Sequence, residues 1–160
     1  MKTLITVLFL SISSVMMAQD RIPNIKLKDM QGKTVSMQEI SKDQLVVVSL
    51  WATWCVPCIK ELEAIKDVYD EWQEETDVKI YAVSVDDSRT VKRVRPMVNG
   101  KDWDYDIVFD TNNDFKRAVG ASAIPMLFVA KDNEILYRRN GYAPGAEDEL
   151  YEKLQEFSNQ

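Results

Sequence analysis

The two cysteines of this chain, Cys55 and Cys58, stand three positions apart directly after a continuous apolar run, Leu45–Trp51 (LVVVSLW). No other feature constrains the fold as strongly. A β-branched run of this kind suits a central strand covered on both faces. Behind it, Cys58, Leu62, Ile65, Tyr69 and Trp72 recur at helical spacing, with Lys60, Glu63, Lys66, Asp67, Asp70 and Glu71 on the other face. That pattern predicts a helix from about Cys55 to Trp72. The cysteine pair therefore sits where a buried strand turns into a helix. Two residues one helical turn apart lie at a Cα separation of ~5 Å, within the range a disulfide accepts. At the helix start, free amides and the positive end of the dipole favour a thiolate on Cys55, which makes it the attacking sulfur. Cys58, one turn inside, is expected to be less exposed and to resolve a mixed disulfide by attacking Cys55. Pro57 fits the first turn, where its missing N–H is not needed. Trp54 is expected to pack beside Cys55 and limit access from one side.

Other chemistries fit the sequence less well. A pair this close removes little chain entropy, so stabilisation explains it poorly. A disulfide framework would need more pairs at long spacing. A structural zinc site wants four nitrogen or sulfur ligands, and the 160 residues contain no histidine and no third cysteine. We therefore expect neither a metal nor another cofactor. The net charge of −6 argues against nucleic acid as a partner, since that needs basic patches to neutralise phosphates.

Residues 1–18 carry Lys2, then an apolar run (Leu4, Ile5, Val7, Leu8, Phe9, Leu10, Ile12), and end at Ala18. A positive start, a short hydrophobic stretch and a small terminal residue are the parts of a secretory signal peptide, cleaved here after Ala18. An uncleaved anchor is the alternative, although the serine-broken run is shorter than the ~20 apolar residues of a spanning helix. Residues 19–160 are then expected to form one domain, exported to the periplasm and acting as a monomer.

Along that domain, Ile25–Leu27 and Thr34–Met37 read as a small hairpin turning at Gln31-Gly32. Val78–Val85 is a second buried strand. Asp87 and Ser88 can cap a helix carrying Val91, Val94 and Val98, which Pro96 should kink or interrupt. Tyr105–Phe109 is a short strand, and Asp114–Val119 a short helix closed by Gly120. Met126–Ala130 and Ile135–Arg139 pair as a hairpin around Asp132-Asn133. Glu147–Phe157 is an amphipathic terminal helix, its acidic residues a solvated face. The order implies an α/β fold with a mixed central sheet flanked by helices, and an extra N-terminal hairpin. Trp72 reads as core; Trp103, in KDWDYD, reads either as a loop anchor or as a partner contact.

The segment Trp51-Ala52-Thr53-Trp54-Cys55-Val56-Pro57-Cys58, followed by Ile59-Lys60-Glu61-Leu62, resembles the active-site segment of thioredoxin-like proteins of the TlpA/ResA type. These are extracytoplasmic thiol–disulfide oxidoreductases. The resemblance extends over the leading hairpin, Val83-Ser84-Val85-Asp86-Asp87, Ile124-Pro125, and the closing hairpin and helix, and it implies the thioredoxin fold. It places Pro125 at the fold's cis-proline, facing the cysteines, and makes Ile124 the residue whose backbone pairs with an extended substrate segment. Met126 departs from the usual threonine or histidine of relatives, which leaves partner preference open. Trp54, Pro57, Ile124 and Pro125 are thus the expected partner-contacting residues. The resemblance also implies a glutamate near the buried sulfur, here Glu61. It lies three residues after Cys58 on one helix face and is expected to have a pKa raised by burial and to take the proton of Cys58. A surface glutamate on an exposed first turn is the alternative. Thioredoxin itself is matched less well here, because its buried aspartate maps to Ser49 and its partner lysine to Ala82.

The expected function is reduction of disulfides in exported proteins, with a membrane-bound donor restoring the dithiol. The uncharged Val56-Pro57 dipeptide favours a reductant over an oxidant. The alternative from another class is a binding or redox-sensor module that keeps the fold and acts by docking. A peroxidase reading is weaker, because no cysteine lies outside the CxxC.

Overall fold

The computed structural model describes residues 20–159; the expected signal segment, residues 1–18, lies outside them. Seven strands form one sheet: β1 (Lys26–Asp29), β2 (Thr34–Ser36), β3 (Val46–Trp51), β4 (Lys79–Ser84), β5 (Asp106–Phe109), β6 (Met126–Lys131) and β7 (Glu134–Asn140). Their spatial order is β2-β1-β5-β4-β3-β6-β7. The inner strands β3, β4 and β5 run parallel, while β6 joins β3, β7 joins β6 and β1 joins β5 antiparallel. Every residue of β3 is buried. That is why its sequence shows no alternation: a central strand covered on both faces has no polar side to display.

The parallel strands require crossovers, which helices supply. Between β3 and β4 the chain forms α1 (Val56–Lys66) and α2 (Tyr69–Thr76), where the periodicity predicts one helix. The break falls at Asp67-Val68, with Val68 at φ −123° and ψ −1°. No proline or glycine marks it. Tertiary contacts do: the Tyr69 hydroxyl accepts the Ile80 N–H at the start of β4, and the Tyr69 ring packs on Tyr105. The apolar positions continue in register across the break, so periodicity alone could not reveal it.

Between β4 and β5 the expected helix starts late. Asp87 does not cap it; its carboxylate accepts the Arg89 N–H two residues on and pairs with the Arg89 guanidinium. A 3-10 turn at Val91–Arg93 leads into α3 (Val94–Lys101). Pro96 is the third residue of α3, in its first turn. Its ring would clash with the carbonyl four residues back, at Lys92, so the α-helix cannot extend further towards the N-terminus. After β5 come α4 (Asp114–Ala118) and, beyond the β6–β7 hairpin, α5 (Ala146–Ser158).

Trp72 and Trp103 are both core residues. Trp103 is a loop anchor: its ring meets Trp51 edge-on at 5.1 Å, and its indole N–H donates to Glu63 at 2.6 Å. Trp72 lies nearly parallel to Tyr151 of α5, with centroids 5.9 Å apart, and so ties the crossover to the terminal helix. Trp72→Ala is expected to lower the unfolding free energy by about 3–5 kcal/mol in urea titrations, the usual cost of removing a large buried aromatic.

Candidate functional site

The site is built on the junction between β3 and α1. Cys55 is the residue flanking α1 at its N-terminus, in extended conformation (φ −95°, ψ 95°), and its N–H donates to the Ala52 carbonyl across a tight turn. Pro57 occupies the first helical turn. Cys55 and Cys58 are joined in a disulfide with their Cα atoms 5.3 Å apart. The two sulfurs are not equivalent. Cys55 keeps 6% of its surface and Cys58 none. An approaching partner therefore meets Cys55 first.

Trp54 and Val56 flank Cys55 and stand 57% and 62% exposed. Trp54 is thus a solvent-facing side chain beside the cysteine. The Ile124–Pro125 peptide bond is cis, with Pro125 buried and Ile124 half-buried immediately before β6. β6 is the strand next to β3, with Met126 opposite Leu50 one residue before Trp51. Strand pairing thus brings Pro125 to the same end of the sheet as the cysteine turn.

Three residues after Cys58 on α1, Glu61 is fully buried, so it is not the surface residue that an exposed helix turn would allow. Its Oε2 accepts the Ser49 hydroxyl of β3 at 2.8 Å, and its Oε1 accepts Nη2 of Arg139 from β7 at 2.7 Å. Burial pushes the Glu61 carboxyl above its ordinary pKa; Arg139 and Ser49 pull the other way and offset only part of that cost. Arg139 also donates from Nη1 to the Ala146 carbonyl at the start of α5. Ser49 lies opposite Ala82 in the β3–β4 register, so the two positions that carry charges in thioredoxin are uncharged neighbours here. The buried carboxylate comes from the helix instead.

A second buried carboxylate holds the turn itself. Asp86, just past β4, accepts the Thr53 N–H at 2.8 Å, the Thr53 hydroxyl at 2.6 Å and the Ser84 hydroxyl at 3.0 Å. These bonds fasten the residues before Cys55 to the end of the neighbouring strand. Sequence reasoning missed Thr53, Asp86 and Arg139 as site residues. A signal existed for Arg139: consecutive Arg138 and Arg139 on a strand must point to opposite faces, so one of them needs an inward partner. Arg138 goes the other way, to Asp20 and the Val119 carbonyl. Among the described residues, no group of three or more Cys, Asp or Glu is placed to hold a metal ion.

Three outcomes follow from this geometry. Asp86→Ala should lower the unfolding free energy by about 1–3 kcal/mol for each buried donor left without an acceptor. Asp87→Ala next door, whose carboxylate serves exposed Arg89 and a long 3.4 Å bond from the Thr90 hydroxyl, should leave the denaturant midpoint near wild type. For Glu61, a folded pKa raised above the ordinary 4.5 means that its stabilising contribution is full below about pH 4.5 and is lost as pH rises through the raised value. The stability of the native protein relative to Glu61→Gln should therefore fall with increasing pH above that point, as read from denaturation midpoints across a pH series.

Comparison with known proteins agrees with this architecture. A thiol-disulfide oxidoreductase ResA from Bacillus thuringiensis subsp. konkukian is 25% identical over 136 residues, 84% of this chain and 73% of its own length. The solution structure of a thioredoxin-like protein from Porphyromonas gingivalis superposes with a TM-score of 0.77 at 38% identity, covering 88% of this chain and 94% of that one. StoA from Bacillus subtilis, at 22% identity, shares the fold with a TM-score of 0.66 over 81% of this chain and 99% of its own. The sequence profile of the AhpC/TSA family matches residues 18–139, from ahead of the leading hairpin to Arg139 itself. With a thioredoxin fold, a cysteine pair at the mouth of α1 and relatives of this kind, the chain belongs to the AhpC/TSA family, on its thiol–disulfide oxidoreductase side.

Proposed function

We propose that this protein reduces disulfides in exported proteins through the Cys55–Cys58 dithiol. The observation that carries the reading is the asymmetry of the pair: Cys55 keeps a small opening to solvent between two exposed apolar side chains, while Cys58 is fully buried one turn along the helix that carries a buried carboxylate. In the reduced protein, the Cys55 thiolate attacks one sulfur of a substrate disulfide. A Cys55–substrate bond forms, the substrate S–S bond breaks, and the first substrate thiolate leaves and takes up a proton. Cys58 then gives its proton to Glu61 and attacks the Cys55 sulfur. The Cys55–Cys58 disulfide forms, the second substrate thiolate leaves, and two electrons have moved to the substrate.

Glu61 suits the acceptor role because burial raises its pKa towards that of a thiol, while Ser49 and Arg139 fix its position. Trp54 and Pro57 are proposed to bound the approach to Cys55, and Ile124 and Pro125 to take an extended substrate segment alongside it. A membrane-bound dithiol donor would restore the reduced state. Residues 1–18 would direct the chain out of the cytoplasm, leaving residues 19–160 as the active domain in the periplasm, working as a monomer.

The discriminating experiment is dithiothreitol-driven reduction of insulin. The native protein should accelerate it and Cys55→Ser should not. Cys58→Ser should accumulate a mixed disulfide through Cys55. Glu61→Gln should slow release from that intermediate by about a hundredfold near neutral pH, the usual scale of general-base assistance, with the pH profile displaced. If the native protein gave no acceleration, the fold would be acting as a docking module and the reductase reading would fail. The equilibrium potential of the pair against glutathione sets the direction: a value at the oxidising end would make the protein an oxidant.

A further inference from the structure

Beyond the carboxyl ends of β3, β4 and β5 lies a groove of about 440 Å³, lined by Trp54, Val85, Asp87, Arg89, Thr90, Arg93, Asn113 and Lys116. The outer ends of parallel strands are where open α/β sheets take their ligands. This groove shares a wall with the redox site: Trp54, which precedes Cys55, is one of its lining residues. Its charge runs against that of the molecule. The chain carries a net −6, yet the groove holds three cations against one carboxylate. Arg89 is spent on that carboxylate, pairing with Asp87 at 2.6 Å. Among the described residues, the charged ends of Arg93 and Lys116 have no hydrogen-bond or ion-pair partner; the bonds these residues make come from their backbones.

We propose that this groove is a specificity subsite for an acidic segment of the protein substrate, adjoining the cysteine that reacts with Cys55. The inference rests on the reductase reading above and deepens it. A substrate chain covalently joined to Cys55 has to run past a neighbouring surface. On the Trp54 side, that surface offers an exposed indole and then two unpaired cations. An apolar residue next to the substrate cysteine would pack on Trp54. Aspartates or glutamates beyond it would pair with Arg93 and Lys116, a rim contact that acts mainly on the encounter rate. The overall field of an acidic protein predicts the opposite preference, for basic substrates, so the sign of the selectivity separates local recognition from net charge.

The test uses two synthetic peptides, each with one cysteine activated as a 2-thiopyridyl mixed disulfide and one adjacent leucine, differing only in flanking glutamates or lysines. Release of thiopyridone by the reduced protein gives a second-order rate constant for each. At low ionic strength the glutamate peptide should react about tenfold faster than the lysine peptide. The ratio should approach one near ~1 M salt, where the screening length falls to about 3 Å. In the R93E/K116E double variant the ratio should invert. Because each ratio is taken within one preparation, a loss of folded protein cancels. Equal rates, a lysine preference in the native protein, or a ratio unmoved by the double variant would overturn the subsite while leaving the reductase reading standing. Failure of both peptides to react would overturn that reading, and the subsite with it.

Discussion

A carboxylate with no solvent contact has to be held by its surroundings, and Glu61 is held by three elements at once. It projects from α1, accepts a hydrogen bond from Ser49 in the central strand, and pairs with Arg139 from β7. A buried charge of this kind contributes little net stability, because desolvation cancels much of the attraction. Its value is positional. Ser49 and Arg139 leave Glu61 few alternative rotamers, so the spacing between helix α1 and the sheet is fixed where the buried cysteine sits. Asp86 does the same for the turn on the other side of Cys55, through Thr53. The redox pair thus rests between two buried carboxylates, one behind the helix and one behind the loop.

Much of this was legible in the sequence, for identifiable reasons. The central strand declared itself through its apolar run, and the hairpins through their turn residues. The cysteine pair was readable because its spacing and its place after that strand follow from local geometry. The split between α1 and α2 was not, since Tyr69 and Trp72 remain in phase with Leu62 and Ile65 and the cause lies in the contact of Tyr69 with β4. The delayed start of α3 was half readable: Pro96 gave warning of an interruption, but not of the 3-10 turn upstream. Thr53, Asp86 and Arg139 escaped notice because their roles depend on strands that meet only in the folded sheet. Of the two exposed apolar side chains at the site, Trp54 stood out by its place before Cys55, whereas nothing local distinguished Val56 from core.

The site also divides its tasks by depth. At the surface, Trp54 and Val56 leave an apolar rim around the sulfur that meets the partner. One turn lower, Cys58 is screened from water. Solvent therefore reaches the outer cysteine and its apolar rim and not the inner one.

Arg139 reaches in two directions, to Glu61 with one nitrogen and to the Ala146 carbonyl with the other. The start of α5 is thereby tied to the buried carboxylate of α1. A graft or an insertion between residues 140 and 146, a loop remote in sequence from the cysteines, would disturb the guanidinium that holds Glu61 without touching either sulfur.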